Sequence, residues 1–127
     1  AKYKPPRIEL DVVILGASYG EGRRSNVFGT FEIGVKSETG FINIGSIGTG
    51  FTDSDLINLT TRLRTIVESY KDNRYVFLPR IVLEVKADLV SHDAKGNIGL
   101  RFPRMKRIRD DKFVSDINTI KDVMEMI

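Results

Sequence analysis

The stretch LRFPRMKRIRDDK at residues 100–112 places six basic side chains in thirteen positions. Four are arginines (Arg101, Arg104, Arg107, Arg109) and two are lysines (Lys106, Lys112). Arginine's planar fork suits bidentate contact with phosphate. Phe102 stands between Arg101 and Arg104, an arrangement in which a ring presses on a nucleotide while cations hold its backbone. The run closes on Arg109-Asp110-Asp111-Lys112, where adjacent acids can orient the flanking cations. A solvated strand face has a similar composition, but the arginine excess, the embedded ring and the ordered ending favour a phosphate-gripping surface. A second cationic pair, Arg23-Arg24, lies in the polar loop SYGEGRRSNVFG and is open to phosphate contact.

Other chemistries are poorly supplied. Gly16, Gly20 and Gly22 follow an apolar stretch, yet they lack the G-x-G-x-x-G spacing and no helix follows to lend its N-terminus. They read as a flexible β-loop. Glu84, Asp88, Asp110 and Asp111 could be imagined as an acid–base pair or a magnesium site, but nothing in the sequence brings them together. Glu84 is expected at the surface or in a structural ion pair. The absence of cysteine removes disulfides and thiolate chemistry. The single histidine, His92, sits in the turn-like SHDAKGN and cannot by itself make a zinc site or a triad, so no metal ligands are assigned. The net charge of +3 is mild; what matters is its gathering into patches, because charges act within a screening length of about 8 Å. No apolar run approaches the roughly 20 residues that span a bilayer, and AKYKPPR has no signal-peptide core. No membrane partner is expected.

The elements that must position the basic run follow from hydrophobic period. RIELDVVILGA reads as a buried strand ending at Gly16. TFEIGVK alternates Phe31, Ile33 and Val35 with polar residues, SETG is a turn, and FINIGSIG returns, which predicts a hairpin over residues 29–48. The period then changes. Leu56, Leu59, Leu63, Ile66, Val67 and Tyr70 recur at helical spacing behind a Thr52–Asp55 capping box, predicting a helix that runs to about Tyr70. RIVLEVKADLV is a fourth strand with Ile81, Leu83 and Val85 on one face; IGLRFPRMKRIR is a fifth with an irregularity at Pro103. SDINTIKDVMEMI spaces Ile117, Ile120, Val123 and Ile127 as a short terminal helix capped by Ser115 or Thr119. The class is mainly β: a five-stranded OB-fold barrel with a helix between strands 3 and 4 and a short C-terminal helix.

With these residues in place, the chain resembles the C-terminal OB domain of ATP-dependent DNA ligases of archaeal type. Arg109-Asp110-Asp111-Lys112 is similar to that family's terminal arginine, any residue, aspartate, lysine motif. LDVVILGASYGEGRRSNVFGTFEIG resembles the opening of the domain, IGTGFTDSDLINL its glycine-rich segment before the helix, and PRIVLEVKADLV its fourth strand. The blocks keep the family's order over most of residues 8–113. The resemblance implies nick sealing in three steps: a lysine takes AMP from ATP, AMP passes to the 5′-phosphate, and the 3′-hydroxyl attacks. The family's lysine lies in a K-x-D-G motif of a separate adenylation domain. The nearest approach here, KADL at Lys86, ends in leucine, so this chain is expected to be inactive alone.

By the same resemblance, Arg109 and Lys112 contact the ATP triphosphate and orient the departing pyrophosphate, with Asp111 in support. Rotated away, the domain packs on the minor groove at the nick. Phe102 matches the groove-pressing aromatic; Arg23, Arg24, Arg101, Arg104, Lys106 and Arg107 complete the DNA-binding set, and Lys2 or Lys4 falls near the swivel. ATP and Mg2+ serve the full enzyme, with neither expected on this domain alone. The implied partners are nicked duplex DNA, the adenylation domain and a sliding clamp; the implied location is the archaeal cytoplasm and nucleoid, or the nucleus in a eukaryote. Residues 1–127 are expected to form one domain, with 1–7 a linker and 114–127 a helical tail; a start at Ala1 fits a piece of a longer enzyme. The alternative from another class is a stand-alone OB module for single-stranded DNA or RNA. Such binders carry several stacking aromatics, whereas only Phe102 is embedded in the basic run.

Overall fold

The computed structural model describes residues 8–22 and 25–127. The expected linker at 1–7, with Lys2 and Lys4, and the pair Arg23-Arg24 lie outside the described residues. The first strand, β1 (Ile8–Tyr19), is the spine of the sheet. Val12, Val13 and Ile14 are all fully buried, because apolar side chains cover both of its faces, and a strand covered on both faces reads as a continuous apolar run. It pairs on one edge with β2 (Phe28–Ser37), which returns through a tight turn into β3 (Gly40–Ile47) as the alternation predicted.

A bulge between Ile14 and Gly16 bends β1. Its other edge pairs with β6 (Val82–Ala87) before the bend and with β5 (Arg74–Phe77) after it. Only glycine fits at residue 16, where a Cβ would lie 2.7 Å from the Tyr75 carbonyl oxygen and 2.7 Å from a Glu32 carboxylate oxygen.

Helix α1 spans Asp53–Leu63. The Thr52–Asp55 capping box forms as expected: each side chain accepts the other's backbone N–H at 3.0 Å. Leu56, Leu59 and Leu63 are buried against Phe28, Phe31, Ile33 and Ile44 in the main core. The helix is shorter than its spacing predicted. One 3-10 turn at Arg64–Ile66 ends it, and β4 (Val67–Lys71) with β5 forms a hairpin that the periodicity did not reveal. The reason is partly local and partly distant: Val67 and Tyr70 favour strand, Asp72 takes the left-handed φ of 57° at the turn, and the open edge of β1 beyond Gly16 supplies a partner from far back in the chain.

The fourth and fifth expected strands are each broken once. After β6, Asp88 interrupts and β7 (Leu89–His92) begins; β8 (Ile98–Arg101) pairs with β7, and β9 (Arg104–Ile108) returns to β6. The irregularity falls at residues 102–103, as proline required. The path β3-β2-β1-β6-β9 curls into the five-stranded barrel of an OB-fold. Its ends meet where Met105 N–H donates to the Thr49 carbonyl at 2.9 Å. Gly50, at φ 90°, lies so close that a Cβ would overlap the Met105 carbonyl oxygen.

The tail ends in the short helix expected of it, which begins only at Ile120. A 3-10 turn at Val114–Asp116 leads to Asn118, then α2 (Ile120–Met124), capped by Thr119 and not by Ser115. Asn118 wedges between β1 and β2 where they separate. Its Oδ1 accepts Asp11 N–H at 2.8 Å, its N–H donates to the Asp11 carbonyl at 3.1 Å, and its carbonyl accepts Lys36 N–H at 3.0 Å. Ile117 packs with Val13 and Val82 in a second apolar cluster on the sheet's outer face.

Candidate nucleotide and nucleic-acid interface

The basic run divides into two groups. The first is the corner between β8 and β9. Arg101 carbonyl accepts Asp88 N–H at 2.9 Å, fixing the end of β8. Phe102 then adopts φ 52° and leaves its side chain 65% exposed. A bulky residue in that backbone region is strained. The Arg101 guanidinium lies 5.5 Å from the ring centroid, in cation–π range. Arg104 donates to the Phe102 carbonyl at 3.0 Å and stands 3.5 Å from Asp88. The exposed ring thus has one cation over it and a second on its backbone carbonyl.

The second group lies on the outer face of β1, β6 and β9. Register opposes Glu84 to Arg107 and Val85 to Met105, so Lys106 is the extra residue of a bulge. Lys106 and Arg107 therefore both reach Glu84, Arg107 Nε at 2.6 Å and Lys106 Nζ at 3.7 Å. Lys106 also meets Glu9 at 3.4 Å, and Lys86 meets it at 3.6 Å. Beyond β9, Arg109 N–H donates to the Val82 carbonyl at 2.8 Å, which seats the final motif. Its guanidinium makes a two-point contact with Asp111 at 2.9 and 3.2 Å, and lies 3.4 Å from Asp11 and 3.7 Å from Glu84. Lys112 Nζ donates to the other Asp11 oxygen at 2.7 Å.

The hydrogen bond from Arg107 holds the Glu84 carboxyl below its ordinary value of 4.5, with burial opposing. The bond from Arg109 holds Asp111 below 3.8 and in turn raises Arg109. The chemistry that these paired charges offer is positioning and charge stabilisation.

The structure joins Lys106 and Arg107 to Arg109, Asp111 and Lys112, and separates them from the Arg101–Phe102–Arg104 corner. The four candidate carboxylates do not converge: Glu84 pairs with Arg107 in the structural ion pair expected of it, Asp88 stands beside Arg104, Asp111 binds Arg109, and Asp110 reaches Arg62 of α1 at 2.8 Å. Among the described residues no group of three or more His, Cys, Asp or Glu can hold a metal. Orientation by the adjacent acids thus holds for Arg109, while the partner of Lys112 is Asp11. Asp11 and its backbone clamp Asn118 escaped the sequence reading. The available signal was a lone carboxylate inside the apolar LDVVIL. No helix among the described residues is long and apolar enough to cross a membrane.

The fold is one that the chain shares with solved ligase structures. It superposes on the ligase domain of M. tuberculosis LigD with a TM-score of 0.76 at 24% identity, covering 88% of this chain and 38% of that one. The family described as ATP dependent DNA ligase C terminal region matches residues 24–112, and the chain belongs to it. "DNA ligase" of Methanococcus aeolicus is 41% identical over 121 residues, and "DNA ligase 2" of Haloquadratum walsbyi 38% over 130, covering 93% and 98% of this chain. The chain spans 22% and 21% of those two relatives' lengths, about a fifth.

Proposed function

We propose that this chain is the OB domain of an ATP-dependent nick-sealing ligase and that its basic side chains serve two orientations of the domain, the second drawing on both groups. Turned toward an adenylation domain, Arg109 and Lys112 bind the triphosphate of ATP and orient pyrophosphate as it leaves the lysine-bound AMP. Asp111 keeps the Arg109 fork in one plane. Magnesium accompanies the triphosphate and neutralises charge on it. Turned toward nicked duplex, Phe102 presses into the minor groove while Arg101, Arg104, Lys106, Arg107 and the Arg23-Arg24 pair contact backbone phosphates.

One observation carries this reading. The Arg109 and Lys112 head groups converge on the two oxygens of a single carboxylate, Asp11. Two cations that one oxyanion can bridge are also spaced for the oxygens of a phosphate. The chemistry asked of them is stabilisation of charge that develops on the leaving group.

The test mixes this chain with a separately expressed adenylation domain of a related ligase, ATP and magnesium, and follows the AMP–lysine adduct and the sealing of a nicked duplex. Arg109→Ala with Lys112→Ala is expected to lower adduct formation by at least tenfold and to change nick binding much less. Equal loss of both activities would sink the division of roles.

A further inference from the structure

Resting on that reading of the motif, we infer that the Asp11 carboxylate holds the place of a phosphate oxygen between Arg109 and Lys112, and that an arriving phosphate must compete with it for the pair. Among the described residues, Asp11 is the only carboxylate paired with Lys112, whereas Arg109 also meets Asp111 and Glu84. Two cations side by side repel; a carboxylate between them offsets the repulsion when no phosphate is present. The Asp11 side chain is 14% exposed and that of Arg109 17%, so the pair is partly withdrawn from water and less screened than a surface contact.

Asp11 is itself immobilised. Its N–H and carbonyl are both taken by Asn118, and its strand is paired on the other edge with Glu84 of β6. The main chain that carries the carboxylate is therefore fixed, whereas the ammonium of Lys112 sits at the end of a long side chain. An arriving triphosphate competes with Asp11 for the ammonium and cannot recruit the carboxylate away with it. Five cations (Lys86, Lys106, Arg107, Arg109, Lys112) face four carboxylates (Glu9, Asp11, Glu84, Asp111) in this network, so 5 − 4 leaves one positive charge. Removing the Asp11 charge would double that excess at the motif while leaving Arg109 anchored by Asp111.

The consequence runs opposite to ordinary structural damage: losing Asp11 tightens phosphate binding. The experiment uses this chain and inorganic tripolyphosphate, with affinity measured by titration calorimetry at low salt. Asp11→Asn keeps the side-chain shape and the backbone bonds to Asn118, and is expected to bind tripolyphosphate about tenfold more tightly than the parent chain. Asp11→Thr, uncharged and suited to a strand, is expected to do the same, and thermal unfolding of both variants checks that they fold. Affinity that is unchanged or weaker in folded variants overturns the role of Asp11 and leaves the motif's phosphate reading intact. Loss of folding in both variants overturns it as well, since Asp11 would then serve the fold. A separate arm adds Arg109→Ala and Lys112→Ala to Asp11→Asn: if tight binding survives there, the motif is not the phosphate site and the proposed function itself fails.

Discussion

At the residue scale, Phe102 costs the fold something and returns nothing to the core. Its φ of 52° and 65% exposure combine backbone strain with an apolar ring in water, a combination found where strain serves a site. Phe102→Ala removes the ring but keeps a Cβ at positive φ; Phe102→Gly removes both. The glycine variant is expected to be more stable than the alanine variant by about 1 kcal/mol in urea unfolding, with both losing several-fold in affinity for nicked duplex. Affinity equal to the parent in both would remove Phe102 from the DNA contact. The side chains of this corner were legible in the sequence because they are consecutive. Asp11 was not, because it meets Arg109 across 98 positions of chain, and only the pairing of β1 beside β6 and β9 brings them together.

At the element scale, the barrel is closed by backbone. Met105 N–H meets the Thr49 carbonyl, and Gly50 beside it has no room for a side chain. Gly50→Ala combines a clash with main chain and a φ of 90°, and is expected to destabilise the domain by roughly 2–4 kcal/mol; an unchanged urea midpoint would mean the closure is soft. The same closure explains what the sequence could and could not tell. The β2–β3 hairpin and the start of α1 announce themselves through alternation and a capping box, both local. The end of α1 does not. Leu63, Ile66, Val67 and Tyr70 keep helical spacing past the true end, yet Val67–Lys71 pairs with Arg74–Phe77, and β5 lies against β1 more than fifty residues earlier in the chain. Spacing records which side chains can be buried together. It does not record which strand edge is waiting for a partner.

At the scale of the whole molecule, charge links stability to pH. Glu84 is held below its ordinary value chiefly by Arg107, Asp111 by Arg109 and Asp122 by the Thr119 backbone N–H. Carboxyls lowered on folding stabilise the native state fully above their unfolded values, near 4, and lose that contribution as pH falls through the folded ones. The urea midpoint is therefore expected to be flat between about pH 7 and 5 and to fall below about 4.5, less steeply in Glu84→Gln; a midpoint that holds to pH 3 would show the network contributes nothing to stability. Asp122 caps the segment that carries Asn118, so acid loosens the tail together with the outer face. That coupling bears on where this unit of protein ends. The family match stops at Lys112, but a chain cut there would bare Val13 and Val82 and leave the backbone of Asp11 and Lys36 without the partners Asn118 supplies. Anyone excising or grafting the domain should take its boundary from the wedge and not from the motif, because the smallest piece that carries its own cover runs through α2.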